Sequence, residues 1–70
     1  MKSIVWLSDT GTKLACNEKI KVMQQNLAEL KQIAQDTYED GILMGISQQQ
    51  LKSVLAQIIE QLHNPYTDIK

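Results

Sequence analysis

The sequence contains no phenylalanine and no arginine, and its 70 residues include one cysteine, one histidine, one proline and one tryptophan. Each shortage removes a class of structure or chemistry. With Cys16 alone there is no internal disulfide. With His63 as the lone imidazole and no second thiol, a zinc-type ligand set is missing, and no cofactor or metal is expected. All seven cations are lysines and the formal net charge is −1. Nucleic-acid binders usually show a basic excess and use arginine for bidentate contacts, so this balance argues against that partner.

A long hydrophobic run is missing too. The longest apolar stretch near the start is Ile4-Val5-Trp6-Leu7, far shorter than a signal-peptide core or a membrane span. A single thiol without an export signal points to a reducing cytoplasm, and no membrane contact is expected. No internal repeat is evident, and the only biased tract is Gln48-Gln49-Gln50.

The chain is short enough for one small domain. Domains of this size bury only about 60% of their unfolded surface, so stability is thin. Disulfides, metals and oligomerisation are the usual supplements. Only the third is open here.

Residues 1–16 read as an extended and turn segment. Ile4, Val5 and Trp6 favour strands, and Asp9-Thr10-Gly11 supplies turn chemistry before Thr12-Lys13-Leu14. This predicts a short N-terminal β-strand or hairpin. Asn17 is the expected N-cap of the first helix, with Glu18 favourable to its dipole. From there Ile20, Met23, Leu27, Leu30, Ala34 and Tyr38 recur at about 100° per residue and form one narrow apolar stripe. Gly41 and Gly45 continue it, and Gly41 suits a close helix crossing. Val22 and Ile33 form a second, smaller apolar strip nearly opposite.

Between the helices the local chemistry is specific. Ser47 and Gln50 make a capping box, with Ile46 and Leu51 in the hydrophobic-staple positions. Gly45 is placed to end the preceding helix in a left-handed conformation. The prediction is a mainly α antiparallel hairpin: a long helix over about 17–44, with Asp40 as the other candidate end, and a shorter one over about 48–63. The second helix carries Leu51, Val54, Leu55, Ile58, Ile59 and Leu62 on a wide apolar face. Pro65 restricts Asn64 and closes it, leaving 64–70 as a loose tail.

The predicted helices are unequal, about 42 Å and 24 Å. Folded back, the second reaches the first from about Leu27 onward and leaves Ile20 and Met23 uncovered. Either the N-terminal segment covers them or another subunit does. Ile20, Met23, Val22 and Ile33 are therefore the candidate self-association residues, and a homodimeric four-helix arrangement is expected. Asp36, Glu39 and Asp40 gather near the C-terminal end of the first helix, where the dipole favours cations. With Tyr38 they are the candidate contact for another protein partner, although a solvated acidic face has the same composition.

Three short motifs resemble known signatures. Asp9-Thr10-Gly11 resembles the D-T-G of aspartic proteases, whose folds are all-β, and Asp9-Thr10-Gly11-Thr12 resembles the D-K-T-G-T loop of ion-pumping ATPases, without its lysine. A turn accounts for these residues. Ser47 to Leu51 resembles the S-Q-E-L-D signature of small hairpin phosphatases that inhibit sporulation, without the glutamate and the aspartate. None of these identifies a family. Cys16 and His63 are the only nucleophile–base candidates, and no third group is present to orient the imidazole. No catalytic residue is assigned. The expectation is a small non-enzymatic protein–protein interaction module, a homodimeric regulator or accessory subunit. A nucleic-acid-associated regulator using Lys13, Lys19 and Lys21, and a thiol redox sensor or minor enzyme using Cys16, are the alternatives.

Overall fold

The computed structural model describes residues 4–66. The beginning of the predicted N-terminal segment and most of the predicted tail lie outside them. The described chain is mainly helical, with α1 over Asn17–Leu43 and α2 over Gln48–Glu60 packing against each other. It divides into two compact units, Met1–Lys31 and Gln32–Lys70, and α1 contributes to both.

In the first unit the predicted strand is absent among the described residues. Pairing is reduced to one isolated antiparallel bridge between Leu7 and Lys13. The hairpin shape survives as a turn. Gly11 N–H donates to Ser8 O at 2.9 Å, Ser8 N–H to Thr12 O at 2.8 Å, and Leu14 N–H to Trp6 O at 2.9 Å. The Ser8 hydroxyl accepts from Thr12 N–H at 3.1 Å and lies 3.0 Å from the Thr10 hydroxyl. These bonds are local, so they hold a turn without a ladder. Two strands with no third neighbour gain little from extending further.

The helix starts one residue earlier than its side-chain chemistry suggests. The first helical carbonyl is that of Cys16, which accepts from Ile20 N–H at 3.1 Å. The cap position therefore falls on Cys16, and Asn17 is already helical.

The second unit is a tight αα-hairpin, and its turn is a Schellman motif. Ile46 N–H donates to Gly41 O at 2.9 Å and Gly45 N–H to Ile42 O at 3.0 Å, with Gly45 at φ +89°. That conformation costs a residue with a Cβ about 1–2 kcal/mol and glycine almost nothing. The forward half of the capping box also forms, with Gln50 N–H donating to Ser47 Oγ at 3.2 Å. Among the described residues the Gln50 side chain makes no return bond. The first helix thus runs past Asp40 to Leu43, close to the longer of the two predicted ends.

The helices meet at Gly41, the only buried residue among those described. A Cβ built there would stand 2.6 Å from Leu51 Cδ2 and 2.7 Å from Cδ1. Leu51 and Leu55, one turn apart on α2, are half-buried, as are Ala34 and Tyr38 on α1. The Tyr38 hydroxyl donates to Gln48 Oε1 at 3.2 Å, and Lys52 Nζ lies 5.7 Å from the Tyr38 ring centre. A cation over an exposed ring contributes about 0.5–1 kcal/mol.

The second helix ends three residues before the predicted His63. Leu62 N–H bonds to Ile59 O at 3.2 Å, an i−3 partner that tightens the last turn. Asn64 Oδ1 then accepts from Tyr66 N–H at 2.7 Å, across Pro65. Without a glycine to reverse the chain, and with Asn64 barred from helical backbone by the proline, the helix winds down in stages.

Replacing Gly41 with valine is expected to lower stability by about 2 kcal/mol, because valine is no worse than glycine as a helix former and the loss comes from the clash. In a Leu51→Ala background the same change should cost less than half as much, measured by urea unfolding. Equal costs in both backgrounds would refute the close approach. Gly45→Ala should cost about 1 kcal/mol through backbone strain alone.

Candidate interaction site

The apolar residues that the helix pairing leaves uncovered define the surfaces open to a partner. On α1, the residues that lose solvent are Ile20, Leu27, Ala34, Tyr38 and Gly41. That is the predicted stripe, but thinned. Met23 and Leu30 remain about half exposed, and Val22 and Ile33 are more exposed still. On α2 the pairing covers only the Leu51–Leu55 strip. Ile58 and Ile59 are each 53% exposed, and Val54 and Leu62 also remain open. A second helix laid on a wide apolar face covers a line of it and leaves both margins in water.

The first unit holds a concavity. The turn segment and the start of α1 enclose a cleft of about 340 Å³ lined by Trp6, Leu14, Ile20 and Met23 among others, with Cys16 also on its wall. This answers the question left by the unequal helix lengths: the N-terminal segment approaches Ile20 and Met23 but does not seal them. Met23 stays 46% exposed. Among the described residues, the charged ones on the wall are Lys13 and Lys19. A shallower depression with Val22 and Glu18 adjoins it, sharing Lys19 and Met23. The Trp6 Nε1 atom is buried and has no hydrogen-bond partner among the described residues. An indole N–H left this way costs about 1–3 kcal/mol.

The predicted acidic contact divides. Tyr38 turns toward α2, where Gln48 and Lys52 hold it. Asp36 accepts from Gln32 Nε2 at 2.9 Å and Glu39 from Gln35 Nε2 at 2.8 Å, both one helical turn back. Asp40 is exposed, and the last turn of α1 has no basic residue. Just beyond it Leu43 and Met44 stand 86% and 77% exposed. The second unit therefore projects an apolar tip flanked by carboxylates. No sequence signal marks this tip, because the exposure of Leu43 and Met44 is set by where the turn points them.

The remaining candidates stay apart from any built chemistry. Cys16 is a free, exposed thiol. His63 is exposed beyond the end of α2, in the other unit. Asp9, Thr10 and Gly11 form the turn. Lys21 is exposed and lines neither depression. Among the described residues, no group of three or more His, Cys, Asp or Glu side chains is placed to hold a metal ion. No described helix is long and apolar enough to cross a membrane. Compared with protein-family models, curated proteins and solved structures, the chain has no significant match.

The cap position gives a direct test of the local reading. Cys16→Asp supplies the side-chain acceptor that cysteine lacks and a charge that suits the helix start. It should stabilise the chain by about 0.5–1 kcal/mol in thermal or urea unfolding. An unchanged midpoint would mean that the cap lies elsewhere.

Proposed function

We propose that this chain is a non-enzymatic protein–protein interaction module that works as a homodimer, serving as a regulator or accessory subunit in the cytoplasm. The observation that carries the reading is the distribution of apolar surface. Among the described residues only a glycine is buried, while Val22, Met23, Leu30 and Ile33 on α1, Val54, Ile58 and Ile59 on α2, and Leu62 just beyond it remain open. Each apolar side chain of this size gains about 1.5–3 kcal/mol on full burial. Leaving so many in water is costly for a chain this short, and a second copy recovers part of that cost. Two hairpins pairing into a four-helix arrangement is the simplest assembly that does so.

The remaining surface is then available to a different protein, with the candidate residues Asp36, Glu39 and Asp40 presenting negative charge. Redox sensing through Cys16 rests on its exposure alone. Nucleic-acid binding through Lys13, Lys19 and Lys21 rests on three lysines that lack a basic surround.

Light scattering over a wide concentration range tests the assembly. The expected result is twice the mass of one chain at micromolar concentration, with helical circular dichroism falling on dilution as dimer is lost. A single-chain mass at every concentration, with unchanged helicity, overturns the homodimer.

A further inference from the structure

The cleft of the first unit and the tip of the second are complementary in both polarity and charge. The cleft has an apolar wall of Trp6, Leu14, Ile20 and Met23, and among the described residues its charges are the cations Lys13 and Lys19. The tip presents Leu43 and Met44, the two most exposed large hydrophobic residues among those described. Glu39 and Asp40 lie four and three residues before Leu43, so all three share one side of α1. One surface offers a hole with positive charge, the other a knob with negative charge. We propose that the Leu43–Met44 tip of one copy seats in the cleft of a second copy, with Glu39 and Asp40 meeting Lys13 and Lys19. This rests on the self-association proposed above and specifies its contact.

A second copy is the occupant that the chain's own charges select. Among the described residues the cleft's lining contains no carboxylate; Glu18 lies in the adjoining depression, which also holds Lys19. The tip has no cation in its last helical turn. The apolar pairing supplies the drive. Exposed charge pairs add little affinity, but they reject wrong registers and speed encounter. A reciprocal exchange of tips makes a closed two-fold dimer, whereas a one-way contact propagates into a chain of subunits. Trp6 is the only tryptophan, so its emission reports on the cleft without a competing signal.

The test is a charge swap in the full chain. One variant carries Lys13→Glu with Lys19→Glu, the other Glu39→Lys with Asp40→Lys. The helical substitutions at 19, 39 and 40 place acid near the start of α1 or base near its end, which suits the helix dipole. Helix melting is therefore not the expected cause of any loss. Each variant alone should associate at least tenfold more weakly than the wild type, with a red-shifted Trp6 emission. An equimolar mixture should regain the wild-type mass, because opposite charges then meet at both tip-in-cleft contacts of the mixed dimer.

If the wild type dimerises and both variants dimerise equally well, the tip-in-cleft contact is overturned while self-association stands, and another face such as that of α2 mediates it. If the mixture does not regain the mass, the contact is likewise overturned. A wild type that is monomeric throughout overturns both proposals. Should a charge variant lose helicity, Leu43→Ser with Met44→Ser takes its place. At these exposed positions the change leaves helicity intact, so retained dimerisation again overturns the contact.

Discussion

The approach of Leu51 to Gly41 is the contact on which the second unit depends. Two helices come closest where one of them has no side chain, and here the facing leucine fills the space that a Cβ would take. Neighbouring interactions line up with that approach. One turn earlier on α1, Tyr38 lies near enough for its hydroxyl to bond Gln48 and for Lys52 to stand over its ring. On the other side, the Gly41 carbonyl accepts the Ile46 N–H that closes the turn. The same residue thus sets the helix spacing and anchors the reversal. A side chain at position 41 would disturb both at once, since moving α2 away also pulls on the turn.

Close approach along one line has a consequence for the rest of the surface. A glycine contact draws the two backbones together but spends little apolar area in doing so. The leucines at 51 and 55 lose part of their solvent, while residues to either side on α2 do not. The hairpin is well specified at its turn and poorly filled along its length. Specific geometry and thin burial commonly coexist in small scaffolds, which then rely on something outside themselves for stability. The self-association proposed above is one such source.

Much of this geometry is legible from residues a few positions apart. The Gly45 reversal, the Ser47 cap and the α1 stripe are written in local chemistry, so the hairpin and its turn follow from the sequence. What depends on distant partners is not legible. Ile4, Val5 and Trp6 have strand-forming side chains, yet a strand needs a neighbour, and among the described residues pairing is limited to one bridge, between Leu7 and Lys13. Asn17 is the better capping residue by type, but the turn before it delivers the backbone so that Cys16 occupies that place. Tyr38 illustrates the same limit in the candidate site. Its position beside three acids is visible in the sequence, whereas its engagement with Gln48 and Lys52 requires the second helix to be in place. The acidic residues themselves were legible, but the exposed Leu43–Met44 tip that adjoins them was not, because exposure is set by where the turn points those side chains.

The acids near the end of α1 are the remaining local cost. A carboxylate there opposes the helix dipole by about 0.3–1 kcal/mol at an exposed position. The protein offsets this in part through Gln32 and Gln35, whose side-chain amides donate to Asp36 and Glu39. Such pairs return a few tenths of a kcal/mol each. The turn offsets another part, because its N–H groups occupy the Gly41 and Ile42 carbonyls that carry much of the negative end of the dipole. Asp40 receives neither a glutamine donor nor a cation among the described residues. A surface lysine four residues earlier would have removed the imbalance at no cost to packing. Position 36 instead carries another acid, so the negative charge is concentrated rather than neutralised. Concentrated charge beside an apolar tip is poor for an isolated helix and suitable for one that meets a cationic, apolar surface.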